Sequence, residues 1–235
     1  MLSILSSGTV ILNKFMKYLI INADDFGYSH SINKGIIEGH INGIITSTTV
    51  LVDGIAADEA KNLKAFPKLS VGLHFYPKPD EDLETEFKRQ LELFESIVGH
   101  KPDSIDTHKS LPSDKKNMEM MLSRYSKEQN TPVRRLGNVK FINSFFGLNV
   151  DGTGSLDETK VTVQGLKSAI DEATDNFNEI MTHSGYCDDY LLSKSSYNVT
   201  REKELKSILD PSIKPYIESK GLKLVNWTQY KEKVD

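Results

Sequence analysis

The sequence has little that would direct the chain into a membrane, a disulfide framework or a complex with nucleic acid. Cys187 is the only cysteine among 235 residues, so no disulfide can form within the chain, which fits a reducing compartment. No apolar run approaches the ~20 residues that a membrane span needs. The net charge is −4, and no basic stripe with interleaved aromatic residues is present. We therefore expect a cytoplasmic protein that binds neither membranes nor nucleic acid.

The N-terminal segment also lacks the basic region and the small-residue cleavage site of a signal peptide. Met16 stands directly before the first predicted strand. We therefore expect residues 1–15 to be an extension, either not native or disordered, and residues 16–235 to form a single domain. The alternative is an extra strand from Val10 to Leu12.

Short apolar runs rich in β-branched residues alternate with stretches of helical spacing. The predicted strands are 18–21, 44–52, 69–75, 104–107, 132–134, 177–182 and 222–225. The predicted helices are 29–43, 55–66, 83–98, 113–130, 159–174, 200–209 and 211–220. Residues 138–156 are rich in Gly and Asn and receive no assignment.

This alternation predicts parallel strands joined by right-handed crossovers. Six or seven such units indicate an α/β fold of the irregular (β/α) barrel type, similar to a TIM barrel, with its chemistry at the C-terminal ends of the strands. A doubly wound open sheet is the alternative, but it usually carries a Gly-rich phosphate loop, which is missing here.

Two adjacent carboxylates, Asp24 and Asp25, follow the first predicted strand, and Gly27 lets the chain turn. Adjacent acids are buried only where positive charge compensates them, and a divalent cation is the usual compensation. A solvated turn after the strand explains the same residues equally well when they are taken alone.

Three of the six histidines, His74, His108 and His183, fall at the ends of predicted strands, as does Asp106. A single histidine is more often buried with one hydrogen bond than bound to a metal. Three at corresponding strand ends, together with a carboxylate pair, favour a metal site. Two histidines and a carboxylate are a common ligand set for a catalytic divalent metal.

Four motifs in order resemble the YdjC family of carbohydrate deacetylases, which includes chitooligosaccharide deacetylases. They are Asn22-Ala23-Asp24-Asp25-Phe26-Gly27, Gly72-Leu73-His74, Asp106-Thr107-His108 and Thr182-His183-Ser184-Gly185-Tyr186. The tail, from Arg201-Glu202-Lys203-Glu204-Leu205 to Trp227, is similar to that family as well.

The resemblance implies an irregular (β/α) barrel that removes acetyl groups from N-acetylated amino sugars with a divalent metal, Mg²⁺ or Zn²⁺. By position it implies Asp25, His74 and His108 as metal ligands. We expect an N-acetylated sugar as the substrate and a homodimer as the assembly.

The same resemblance implies Asp24 as the general base and His183 as the acid-side partner. Arg134 stands where such deacetylases place an arginine that orients the base, although Arg135 follows directly and leaves the assignment open by one residue. Asp106 is expected either to fix a histidine tautomer or to be a strand-end cap.

Two positions depart from the family pattern. Ser110 stands where a second histidine is usual, and Ser184 stands where proline is usual. The first departure raises the alternative of a sugar-binding protein without catalysis. A phosphatase of the haloacid dehalogenase type is a weaker alternative, because its chemistry needs Asp-x-Asp and the two aspartates here are adjacent.

Overall fold

The computed structural model describes residues 16–78, 81–108, 115–149 and 155–234. Its strands are β1 Lys17–Phe26, β2 Ser47–Val50, β3 Ser70–Phe75, β4 Ile105–Thr107, β5 Val139–Ile142, β6 Phe177–Thr182 and β7 Leu222–Leu224. Its helices are α1 His30–Ile41, α2 Leu83–Val98, α3 Lys115–Gln129, α4 Val163–Asp171, α5 Asp189–Lys194, α6 Thr200–Ile208, α7 Ile213–Ser219 and α8 Trp227–Val234, with a 3₁₀ helix at Ala57–Ala65. The predictions for residues 1–15 lie outside the described residues.

All seven strands belong to one sheet, in the order β4-β3-β2-β1-β6-β5, and every pairing is parallel. β7 pairs with the first residues of β1. β1 is therefore central, and its buried run from Leu19 to Ala23 packs in the core. Its carboxyl end lies beside the ends of β2 and β6.

The sheet is curled into a half-barrel. Val133 pairs with Ile105 and so extends the β4 edge, yet the next residue, Arg134, reaches Glu179 on β6 near the opposite edge, with N–O distances of 2.8 and 2.9 Å. A flat sheet would keep these two residues several strands apart, since neighbouring strands are spaced about 4.8 Å. The predicted irregular (β/α) barrel with parallel strands is confirmed.

The helices begin and end where local chemistry directs. The hydroxyl of Ser29 caps α1 by accepting from the Ile32 N–H, and Asp82 caps α2 by accepting from Thr85. Gly99, with φ of 91°, ends α2 in the left-handed conformation that glycine adopts without strain. In the described part of the chain, no helix combines the length and the apolar character that crossing a membrane requires.

Several predicted elements differ from the observed ones. The strand predicted to start at 132–134 does not form, because Val133 makes only isolated bridges. β5, α5 and α8 were not predicted, and the segment 55–66 is a 3₁₀ helix over its central residues. β1 continues through both aspartates to Phe26, whereas the predicted strand stopped at Ile21.

Candidate active site

Asp24 and Asp25 lie at the carboxyl end of β1, where the pairing with β2 shifts register between Ala23 and Phe26. Asp25 has φ of 72°, a left-handed conformation that is uncommon for a non-glycine residue. In a regular strand, neighbouring side chains point to opposite faces. The irregularity removes this constraint, so both carboxylates reach the same buried site at the mouth of the half-barrel.

His74 and Asp106 are register partners on the adjacent strands β3 and β4. Nδ1 of His74 lies 2.5 Å from Oδ1 of Asp106, and the other oxygen of Asp106 accepts from the Thr49 hydroxyl at 3.0 Å. Burial lowers the pKa of His74, but the carboxylates of Asp106, Asp25 and Asp24 together outweigh it and raise that pKa to about 10. The surroundings of His74 thus favour positive charge.

Three donor atoms meet at the end of this pair of strands. Oδ1 of Asp25 lies 2.8 Å from Nδ1 of His108 and 3.1 Å from Nε2 of His74, and the two histidine nitrogens are 3.1 Å apart. Oδ2 of Asp25 accepts from Arg201 at 2.6 Å. The three residues predicted as metal ligands are therefore brought together, with one atom of each facing a common point.

The spacing of these three atoms fits one divalent cation. Two donors that bind an ion at about 2.1 Å and at right angles to each other are about 3 Å apart, whereas tetrahedral donors are about 3.4 Å apart. The observed separations of 2.8–3.1 Å match the first case. One oxygen and two imidazole nitrogens suit a first-row divalent metal with open coordination positions.

A second group of acidic and imidazole side chains, formed by Asp24, His74 and Asp106, lies beside the first. Its oxygens are already engaged: those of Asp24 accept from Arg134 at 2.6 and 2.7 Å, and those of Asp106 are held by His74 and Thr49. The group of Asp25, His74 and His108 is therefore the better cation site.

Arg134 is the buried cation around which three carboxylates gather. It donates to both oxygens of Asp24 and to Oε1 of Glu179, and its Nη1 lies 2.9 Å from Oδ2 of Asp106. Arg135 instead packs over the Phe141 ring at 4.5 Å. Of the two adjacent arginines, Arg134 is therefore the one that contacts Asp24.

Arg134 also sets the charge of Asp24. Burial raises the pKa of Asp24, but the guanidinium outweighs it and lowers the pKa to about 2, so the carboxylate is ionised near neutral pH. Asn22 donates to the same carboxylate at 2.8 Å. Burial raises the pKa of Glu179 to about 7, although Arg134 acts in the opposite direction. Asp24 is thus ionised and held in a fixed orientation by Arg134 and Asn22.

His183 follows β6 directly and lies in an aromatic setting. Its ring centroid is 4.6 Å from that of Phe146 and 5.7 Å from that of Tyr197. Its Nδ1 is buried without a hydrogen-bond partner among the described residues. Burial lowers the pKa of His183 to about 4, so the imidazole is neutral near neutral pH. It can act as an acid only after it gains a proton.

A cavity of about 290 Å³ opens over this site and is lined by Asp24, His108, Arg134, Phe146 and His183 among others. Its lining combines these polar groups with apolar side chains such as Met118 and Leu122. This combination suits a small group with one polar function, such as an acetamide.

Three tyrosines lie close to His108. The Tyr76 ring lies 5.2 Å from the His108 ring, Tyr28 lies 6.4 Å from it, and Tyr190 packs against Tyr28 at 6.3 Å. All three are partly exposed. They differ from Phe145, which is fully buried in the core and is not available to a ligand.

The sequence analysis assigned no role to three buried charged residues at the site: Glu179, Arg201 and Glu204. The stretch that contains Arg201 and Glu204 was singled out only as similar to a family tail. Of the two departures, Ser184 is buried and its hydroxyl lies 2.6 Å from that of Thr182, whereas Ser110 lies outside the described residues.

Known proteins that are similar in sequence have related names. A sequence model of the family described as YdjC-like protein matches residues 18–76 and 77–219. A carbohydrate deacetylase of Clostridium beijerinckii is 34% identical, with 89% of this chain and 98% of the relative covered. A chitooligosaccharide deacetylase of Klebsiella pneumoniae is 27% identical, with coverage of 88% and 97%.

Among solved structures, a protein of Enterococcus faecalis V583, named as a candidate cellobiose-phosphate cleavage protein, superposes with a TM-score of 0.73. The two are 24% identical, and the match covers 92% of this chain and 99% of the other. This likeness extends the fold assignment to almost the whole chain.

Proposed function

Because the chain belongs to the YdjC-like family, we propose that it is a metal-dependent deacetylase that removes the N-acetyl group from amino sugars or their oligosaccharides. The observation that carries the metal dependence is the triangle of Asp25 Oδ1, His74 Nε2 and His108 Nδ1, with sides of 2.8–3.1 Å. These three residues would hold the ion.

The chemistry that a bound divalent cation supplies to such a site is activation of water for attack and polarisation of the acetyl carbonyl. The imidazole nitrogens suit Zn²⁺, and the near-right-angle spacing of the donors suits a six-coordinate ion such as Mg²⁺. We propose one of these two ions as the resident metal.

The residues of the chain would carry the proton transfers. Asp24, ionised and held by Arg134 and Asn22, would accept the proton from the attacking water. Arg134 keeps both oxygens of Asp24 in a fixed orientation, and its existing contact with Asp106 would balance the charge of that carboxylate when Asp24 becomes neutral. His183, which is neutral before the reaction, would first take up a proton from solvent. It would then donate this proton to the sugar nitrogen as the bond between that nitrogen and the acetyl carbon breaks, which releases acetate and the free amino sugar.

The substrate would contact two surfaces, the cavity beside His183 and the group of tyrosines beside His108. The acetamide would lie in the cavity that His183 and Met118 help to line, and the sugar ring would pack against the tyrosines around His108. A homodimer and a cytoplasmic location remain predictions, which sedimentation of the purified chain and fractionation of its host would test.

Acetate release from N-acetylglucosamine oligomers tests the proposal. Purified protein should contain about one divalent ion per chain and release acetate. A chelator should abolish release, and adding back the metal found in the purified protein should restore it. Acetate release that continues after all metal has been removed would contradict the metal dependence, and absence of release from the metal-loaded chain on these and other N-acetylated sugars would contradict the deacetylase assignment.

A further inference from the structure

We propose that Arg201 and Glu204, which lie one turn apart on α6, are positioning residues that hold Asp25 and His183 in a fixed relation to each other. The proposal rests on the proposed function, since it assigns a task to residues beside the same site. Both side chains are buried, with 4% exposure for Arg201 and none for Glu204. Residues three apart on a helix share one face, so α6 presents both to the site.

Arg201 connects three segments of the chain. It donates to Oδ2 of Asp25 at 2.6 Å, to the carbonyl oxygen of Tyr197 at 3.0 Å, and to the carbonyl oxygen of His183 at 3.4 Å. The planar guanidinium holds these acceptors in one geometry, which a lysine ammonium could not reproduce. Arg201 thus joins the strand that bears Asp25 to the loop that bears His183.

Glu204 holds the same loop from its other side. It accepts from the backbone N–H of His183 at 2.6 Å and from the Thr182 hydroxyl at 2.5 Å. The Tyr197 hydroxyl donates to its other oxygen. The backbone of His183 is therefore bound at its N–H by Glu204 and at its carbonyl by Arg201, and the Tyr197 ring that packs on the imidazole is fixed by Glu204 as well.

The contact with Asp25 has a consequence for metal binding. Arg201 occupies Oδ2, so only Oδ1 faces His74 and His108. Without Arg201, both oxygens of Asp25 would be free to turn toward a cation, and the number of protein oxygens around it would change. Partners of ligating groups typically influence metal affinity or activity by about 10–100-fold.

The main test uses Arg201→Lys, which keeps the charge, and Arg201→Met, which removes it. The exposed Lys206→Met on the same helix is the matched control. Each protein is loaded with Co²⁺, and its visible absorption spectrum, kcat and KM are measured. We expect both Arg201 variants to show an altered Co²⁺ spectrum and a fall in kcat of about 10–100-fold with a much smaller change in KM. The control should match the wild type.

Glu204 is tested with a pair of variants. Glu204→Ala removes the acceptor for the His183 N–H and should lower kcat by about 10–100-fold, with an unchanged Co²⁺ spectrum because Glu204 does not contact Asp25. Glu204→Gln retains an acceptor oxygen and should restore most of kcat. A role confined to stability would instead lower the melting temperature and leave kcat of the folded fraction intact in every variant.

The outcomes separate this proposal from the proposed function. A wild-type chain without metal or acetate release contradicts the proposed function itself. A wild-type chain that binds metal and is active, combined with an Arg201→Lys variant of unchanged spectrum and kcat, overturns the positioning role. If Arg201→Met fails to fold, the result for Arg201→Lys decides the role of Arg201. If Glu204→Gln does not recover the activity that Glu204→Ala loses, the proposed role of Glu204 is overturned.

Discussion

The Asp106 carboxylate lies 2.5 Å from Nδ1 of His74, its register partner on the neighbouring strand. An ionised carboxylate only accepts, so the proton of a neutral His74 resides on Nδ1 and its free electron pair on Nε2. Nε2 is the atom that faces Asp25 and His108. The pairing of β3 with β4 thereby fixes both the orientation and the tautomer of one proposed metal ligand.

We expect His74→Ala and His108→Ala to lose bound metal while the fold persists, because each removes one of three donors from the triangle. Metal content after gel filtration and the circular dichroism spectrum provide the two measurements. The exposed His100→Ala is the control and should keep its metal. A stoichiometric ion in either of the first two variants would remove that histidine from the ligand set.

Asp24→Asn should keep metal and lose activity by about 10²–10⁴-fold, since it removes the proton acceptor and retains the shape. Arg134 would then face an amide where it now binds a carboxylate. The rate of acetate release at saturating metal is the measurement. Full activity in this variant would mean that the base lies elsewhere.

Asp25→Asn should show the opposite pattern and bind metal more weakly, because an amide oxygen is a poorer ligand for a divalent cation than an anionic carboxylate. Titration of both variants with the resident metal gives the comparison. Retained affinity in Asp25→Asn together with lost affinity in Asp24→Asn would reverse the two roles.

The tyrosines around His108 should contribute to sugar binding. Tyr190→Ala removes a partly exposed ring that packs against Tyr28, and we expect KM for oligosaccharides to rise by roughly 2- to 10-fold with little change in kcat, as befits the loss of one aromatic contact. Tyr216→Ala, on α7 beside α4, is the control and should leave KM unchanged. An unchanged KM in Tyr190→Ala would exclude this ring from the binding surface.

The free energy of unfolding should fall in acid, in part because the Glu86 carboxylate on α2 becomes protonated. Arg89 donates to the Glu86 carboxylate and lowers its pKa from 4.5 to about 2. A lowered folded-state pKa gives stability that is complete above the unfolded value and is lost as pH falls from about 4.5 toward 2. Denaturant unfolding across this range should show a shallower decline for Glu86→Gln than for the wild type.

The exposed Glu92→Gln on the same helix is the control and should decline as the wild type does. An equally steep decline in Glu86→Gln would assign the acid sensitivity to other carboxylates. Glu86 also accepts from Gln90, whose amide bonds the backbone of Tyr76 at both N–H and carbonyl. Acid should therefore loosen the segment that places the Tyr76 ring over His108.

Sequence patterns predicted the regular elements well where one physical signal was strong. α2 has the predicted bounds because its apolar positions recur at helical spacing between an Asp82 cap and Gly99. β6 also has the predicted bounds, and its last residue, Thr182, begins the motif that bears His183. β5 was not predicted, because its four residues lie in a Gly- and Asn-rich segment and are mostly half-buried.

The site was predictable to the extent that its residues lie at strand ends, since parallel strands bring those ends together. The roles of Arg201 and Glu204 were not, because α6 is strongly polar and its sequence is typical of a solvated helix. These two charges are buried by tertiary packing around α6, which contacts α1 and α4 and holds the loop after β6. The left-handed backbone conformation of Asp25 was not predictable either, because an aspartate residue does not by itself indicate an irregularity in a strand.

Asp25 and Arg201 are separated by 176 positions. A chain emerging from the ribosome thus carries the aspartate long before the arginine that neutralises it. Until residue 201 is made, Oδ2 of Asp25 lacks the charged donor that it has in the native structure, and burying this oxygen without that partner is unfavourable. The mouth of the half-barrel should therefore become native only after α6 has been made. A nascent chain halted before α6 would be expected to expose Asp25 and to capture metal poorly.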